Sequence, residues 1–197
     1  MAYPTVAAPY GLVPVQRLDG LPYAGATRTY KIASGYNTSI FNGDAVKLVT
    51  GGTIERDAAD AAMTPVGVFM GCSYTDPVLG YKIFSQYYPA NTVASDIEAV
   101  VCDDVNVVFK VAVVSSGTTI GDLALTDLGA NVAMVDNAGD SATGKSAIAA
   151  SDTSATTATL PLRIIGFVEE TKNSTGGYTE ALVKWNAGHQ FNNTTGV

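Results

Sequence analysis

Histidine and tryptophan occur once each in the 197 residues, cysteine twice, and charged side chains make up only 15%. One histidine, His189, excludes a multi-histidine metal centre. Cys72 and Cys102 fall short of a disulfide framework or a four-ligand zinc site, and we expect both to be buried, reduced thiols. No run approaches the ~18 apolar residues of a membrane-spanning helix. The opening Met1-Ala2-Tyr3-Pro4-Thr5 has neither the basic start nor the apolar stretch of a secretory signal. Lys and Arg number 11 against 18 Asp and Glu, with no basic cluster, which argues against a nucleic-acid partner because phosphate binding needs grouped cations. What is abundant is apolar: 47% of the chain, too much for a disordered tail. The expectation is a β-rich body with no membrane or nucleic-acid partner and no cofactor.

Residues 1–25 differ from the rest. Four of the eight prolines fall here (Pro4, Pro9, Pro14, Pro22), with Tyr3, Tyr10 and Tyr23 among small apolar residues. Proline removes amide donors and keeps its predecessor extended, so this stretch predicts an extended arm without helix or central strand. The arm carries the candidate contact residues Tyr3, Pro4, Tyr10, Pro14, Arg17 and Tyr23, with Arg28 just beyond it. Tyrosines supply rigid amphipathic contact area, and the arginines can pair with an acidic neighbour. The first fifty residues hold a small basic excess, so the acidity lies downstream.

From Thr27 the signals are those of strands. Arg28, Tyr30 and Ile32 alternate with Thr27, Thr29 and Lys31. Val46 and Leu48, then Gly51-Gly52, then Ile54 predict a hairpin. Val105, Val107, Phe109, Val111 and Val113 alternate strictly, predicting a long strand, with Asp103-Asp104 as a hairpin turn before it. Residues 162–168 and 178–185 predict another hairpin, with Trp185 on the core side of its strand beside Ala181 and Val183. Short helices are expected only near 58–63 and 146–151. The fold class is all-β, a β-barrel or β-sandwich with an extended N-terminal arm. A repeated order of Gly-Asp turn, strand, Gly turn, strand, polar insertion and glycine-centred strand starts at Gly43-Asp44 and again at Gly121-Asp122. It ends at Gly67 and Gly166, and predicts two related β halves. The body would span 26–188, with 139–159 an exposed, mobile polar insertion and 189–197 a flexible tail that leaves His189 at the surface.

The sharpest chemical motif is Gly139-Asp-Ser-Ala-Thr-Gly144-Lys145-Ser146, which fits the phosphate-loop pattern G-x-x-x-x-G-K-[ST]. That chemistry needs a buried strand running into the loop and a substantial helix leaving it, so that amides and lysine surround the phosphate. Here Asp136 and Asn137 precede the loop, and Ser, Thr and Ala follow it, so a surface loop is the stronger expectation. Asp136, Asn137 and Asp140 lack the ordered ligand spacing of a calcium loop. Glu169-Glu170 reads as a solvated rim. No nucleophile, acid and base come together in the sequence, and a non-enzymatic role is expected.

The stretches Gly11-Leu-Val-Pro-Val-Gln-Arg17, Pro22-Tyr-Ala-Gly-Ala-Thr-Arg28, Ile32-Ala-Ser-Gly-Tyr36, Ser39-Ile-Phe-Asn-Gly-Asp-Ala-Val46, Pro65-Val-Gly-Val-Phe-Met-Gly-Cys-Ser-Tyr74 and Phe84-Ser-Gln-Tyr-Tyr-Pro89 resemble structural proteins of tailed marine bacteriophages, in particular their capsid decoration (cement) proteins. The likeness continues more loosely through 103–109 and 163–169. It implies a β-rich module on the outer surface of an icosahedral head, assembled in the host cytoplasm. The implied partners are the major capsid protein and neighbouring copies of the chain, a trimer before other oligomers. A virion knob or fibre-base module that binds host polysaccharide is the alternative, and a phosphate-loop nucleotide-binding protein a more distant one.

Overall fold

The computed structural model describes residues 8–58, 61–186 and 188–192. Among these residues it contains thirteen strands and no α-helix. The strands are β1 (Val13–Arg17), β2 (Arg28–Ile32), β3 (Ala45–Leu48), β4 (Thr53–Arg56), β5 (Gly67–Thr75), β6 (Lys82–Ser85), β7 (Glu98–Cys102), β8 (Val107–Ser116), β9 (Thr119–Ile120), β10 (Asn131–Val135), β11 (Ala149–Ala155), β12 (Leu162–Phe167) and β13 (Glu180–Trp185). Two 3-10 turns, Leu125–Asp127 and Glu169–Thr171, complete the regular structure. The short helices expected near 58–63 and 146–151 are absent from the described residues, and Ala149–Ala155 is a strand.

The strands form two sheets, and each closes on itself. In the first, β2 pairs with β7, β7 with β5, β5 with β3, β3 with β4, and β4 back with β2. In the second, β8 pairs with β13, β13 with β12, β12 with β10, β10 with β11, and β11 back with β8. Both rings are antiparallel except at the closing pair, β2–β4 or β8–β11, which is parallel. Closure removes the unpaired edges that an open sheet would leave. The protein is thus two five-stranded barrels of the same topology, the first extended by β6 and the second by β1 and β9.

The equivalence reaches individual residues. Gly43 N–H donates to Phe69 O and Phe69 N–H to Asp44 O, while Gly129 N–H donates to Ile164 O and Ile164 N–H to Ala130 O. A bulge lies between Phe69 and Gly71 in one barrel and between Ile164 and Gly166 in the other. Bulges bend a strand and increase its twist, as a small barrel requires. Two related halves are therefore present, but with different anchors from those expected. Gly43-Asp44 matches Gly129-Ala130, not Gly121-Asp122, and Gly71, not Gly67, matches Gly166.

Two predicted hairpins, β3–β4 and β12–β13, are present. The Asp103-Asp104 hairpin is not: β7 belongs to the first barrel and β8 to the second, so this link carries the chain between them. Trp185 packs inside the second barrel against Phe109, ring centroids 5.7 Å apart. The second barrel's apolar core continues through Leu12, Ala45, Met63, Val68 and Cys102 toward the first, which has its own core around Ile54, Phe69 and Tyr88.

Candidate functional site: the clasp between the barrels and the surfaces beside it

The two halves differ most where they turn. The β3–β4 connection takes four residues, 49–52, and its counterpart between β10 and β11 takes thirteen, 136–148. That longer connection contains the phosphate-loop-like string, and it crosses to the first barrel. Asn42 N–H donates to Gly144 O (3.0 Å) and Ser146 N–H to Asn42 O (2.9 Å), a parallel bridge between the barrels. Gly139 lies flat against the Phe41 ring, where a Cβ would overlap the ring atoms. Gly144, with φ +69°, fits against Gln86 and Tyr87.

A buried polar group holds the contact. Ser146 Oγ donates to Asp44 Oδ1 at 2.6 Å and accepts from Ile148 N–H at 3.1 Å. The other Asp44 oxygen accepts from Phe41 N–H (2.8 Å) and Arg56 Nε (3.1 Å). Arg56 reaches on to the carboxylate of Asp136 and to Asn137 O, so one guanidinium joins both barrels. Asp44 is fully buried, and burial raises its carboxyl above the usual range against the pull of Arg56, Ser146 and the Phe41 amide. Buried charges persist only when paired and hydrogen-bonded in this way.

Residues 139–159 are therefore not an exposed mobile loop. Ser146, Ile148, Ala149 and Ala150 are buried, and β11 is part of the second ring. The reason is long range: Ser146 and its partner Asp44 are 102 positions apart. The string does not form a phosphate cradle either. Its amides are already engaged, Asp140 with Lys145 O, Gly144 with Asp140 O, Ala142 with Asp140 Oδ1 and Ser146 with Asn42 O. A strand follows it in place of a helix. Lys145 is exposed beside a cleft of about 330 Å³ that it lines with Tyr10, Val13, Asn42 and Lys110.

The arm, in its described part, lies along its own body. β1 adds to β8 in the second sheet, with Pro14 opposite Phe109 and a register shift before Gln16. Proline suits this outer strand, where a missing donor is tolerated. Tyr10 hydroxyl donates to Glu180, and Lys110 Nζ sits 5.3 Å from its ring centre. Arg17 pairs with Asp19 (3.4 Å), and Tyr23 packs on the second barrel's core. Arg28 lies on β2, 3.3 Å from Asp103 and 5.5 Å from the centre of the Phe191 ring. Tyr3 and Pro4 lie outside the described residues. The outward face of the arm remains apolar: Val13, Val15, Leu18 and Leu21 are all exposed, Leu21 to 59%.

Other candidates fall into structural roles. Asp136 serves Arg56, and Asp140 closes its own turn through Ala142 N–H and Thr143 Oγ1. Glu169 accepts from Tyr178 hydroxyl at 3.2 Å. Cys72 and Cys102 are free and buried, and burial pushes their thiols up to about 12 and about 11. His189 is not at the surface: it is 1% exposed beside Trp185, and burial lowers its pKa. The chain there is fastened to the first barrel, with Gln190 N–H donating to Pro65 O and its side-chain amide bonding both Leu48 N–H and Leu48 O. The start of the expected C-terminal tail is thus part of the body. Sequence reasoning missed Asp44 and Arg56, although Asp44 follows a turn glycine that it had marked. No family model, curated protein or solved structure matches the chain.

Proposed function

We propose that this chain is a non-enzymatic virion structural protein that binds the outside of an icosahedral phage head and stabilises it, as a cement or decoration protein. The class comes from the resemblance of residues 11–89 to such proteins. The observation that supports it is the arm, whose inner side is built into the second barrel while Val13, Val15, Leu18 and Leu21 face outward. An apolar strip on a rigid support suits docking on a preformed surface, because little chain entropy is lost on binding. Closed barrels joined by the buried Ser146–Asp44 hydrogen bond and the Arg56–Asp136 ion pair suit a protein that must carry load without rearranging.

The test is co-sedimentation with heads of the encoding phage from which the protein has been stripped. The Val15→Asp, Leu21→Asp double variant changes two exposed side chains, so it is expected to fold normally and to lose head binding. Retained binding would overturn the assignment of the arm. Failure of the unaltered protein to bind heads would overturn the function itself.

A further inference from the structure

We propose that residues 188–192 are an acid-released strap between the two barrels: neutral His189 holds the strap shut, and a second proton on its imidazole frees it while both barrels stay closed. The segment leaves the second barrel at Trp185. Asn186 N–H donates to Pro161 O, and the Asn186 side-chain amide donates to Ala158 O and Leu160 O. On the first barrel, Gln190 N–H donates to Pro65 O (2.9 Å), and the Gln190 side-chain amide engages both main-chain groups of Leu48 at the end of β3. Between these anchors lies His189, its ring centre 6.1 Å from that of Trp185 and 5.7 Å from that of Phe191. No strand of either ring belongs to the strap, so its release leaves both closures paired. Opening so short a segment costs less than opening a barrel.

The hydrogen bonds fix the protonation state of the closed strap. Phe191 N–H can only donate, so His189 Nδ1, 3.2 Å away, must accept, and the neutral ring carries its proton on Nε2. Nε2 is buried and has no hydrogen-bond partner among the described residues. A second proton goes to Nδ1, where it faces the Phe191 amide proton. Two donors then oppose each other, and the new cation gains no new acceptor in its buried position.

The charges around the ring do not compensate. Asp103 and Asp104 on the link between β7 and β8, with the Val66 carbonyl, favour the cation, but burial outweighs them. Arg28 of β2 stacks on Phe191, and Lys47 of β3 is held by Asp57 at 3.3 Å. Lys184 points to the face of β13 opposite Trp185. The imidazolium is therefore best satisfied by water, which it reaches when the strap lifts. The inference does not rest on head binding.

Amide hydrogen exchange of the full chain, read by NMR from pH 7.5 to pH 5, tests the strap. The amides of Leu48, Gln190 and Phe191 report on it, and those of β8 and β13 report on the second ring. After correction for intrinsic rates, the strap amides should be less protected than the ring amides at every pH. An imidazole that titrates at 6.5 once free and stays neutral while closed lowers strap protection by about 30-fold across this range. The fall should begin near pH 6.5 and approach about tenfold per pH unit, the slope of one proton. His189→Gln, which has no such proton to take up, should lack it. Strap amides as strongly protected as those of β8 and β13 would show that nothing opens separately, and overturn the proposal. A change below about threefold overturns it too, as does a fall that begins only below pH 5, where carboxylates titrate. These three outcomes are read on the unaltered chain, so they hold even if the variant does not fold. A slope that persists in folded His189→Gln overturns the proposal as well.

Discussion

Replacing Ser146 by alanine removes one hydroxyl and leaves two buried groups without it. Asp44 Oδ1 loses a 2.6 Å hydrogen bond, and Ile148 N–H loses its acceptor. A bond to a charged group contributes about 1.5–3 kcal/mol, and a stranded buried donor costs about 1–3 kcal/mol more, so we expect a loss near 3 kcal/mol. In a chain of this size that lowers Tm by about 6–12 °C. Arg56→Met should cost more, about 3–5 kcal/mol, because Asp44 stays buried without its counter-charge. Adding Asp44→Asn to Arg56→Met should then recover part of that loss by removing the stranded charge. The assay is urea unfolding followed both by fluorescence of Trp185, which sits in the second barrel, and by circular dichroism, which sees both barrels. The two probes should coincide in the unaltered protein. A Ser146→Ala change below about 0.5 kcal/mol, the range of ordinary surface substitutions, would refute the clasp as a stabilising contact. So would an Arg56→Met defect that Asp44→Asn deepens.

Two further outcomes follow from burial. Gly67→Ala should destabilise by about 1–3 kcal/mol in the same assay, because the new methyl group would overlap the Cys102 carbonyl, which is backbone and cannot swing aside; a neutral result would contradict the packing of β5 against β7. His189 binds its proton less tightly when folded than when unfolded, since burial lowers its pKa from 6.5. Its contribution is therefore complete above pH 6.5 and is lost as the pH falls from there toward the lowered value. Comparing the pH dependence of stability with that of His189→Gln, which should lack this slope, checks it, and an NMR titration of the single imidazole gives the folded value directly.

Much of the fold was legible because it is written locally. The alternation from Val107 to Val113 and the Gly51-Gly52 turn describe their own strand and hairpin, although Val105 falls in the turn before β8, and Trp185 sits on the apolar side of its strand, as its neighbours indicate. What escaped depends on partners far away in sequence. Nothing near Ser146 announces Asp44, so a string of small polar residues looked like a loose loop. His189 lies among polar residues, and only the docking of Gln190 on Leu48 and Pro65 draws it inward. The duplication was visible but wrongly anchored, because Gly121-Asp122 imitates a dipeptide whose structural counterpart, Gly129-Ala130, carries no acid. Asp103-Asp104 looks like a turn for the same local reason, yet the strands on either side belong to different rings.

The placement of β1 has a consequence for synthesis. Every strand of the first barrel lies between residues 28 and 102, so that barrel can close as soon as those residues are clear of the ribosome. The arm is made before any of them, yet its partner, β8, belongs to the second barrel and emerges after the first is finished. Through that interval Leu12 and the apolar residues of β1 have no sheet to join. A segment made before the first barrel is thus one of the last to be placed, and it is the segment whose exposed flank is left facing outward when the second barrel is complete.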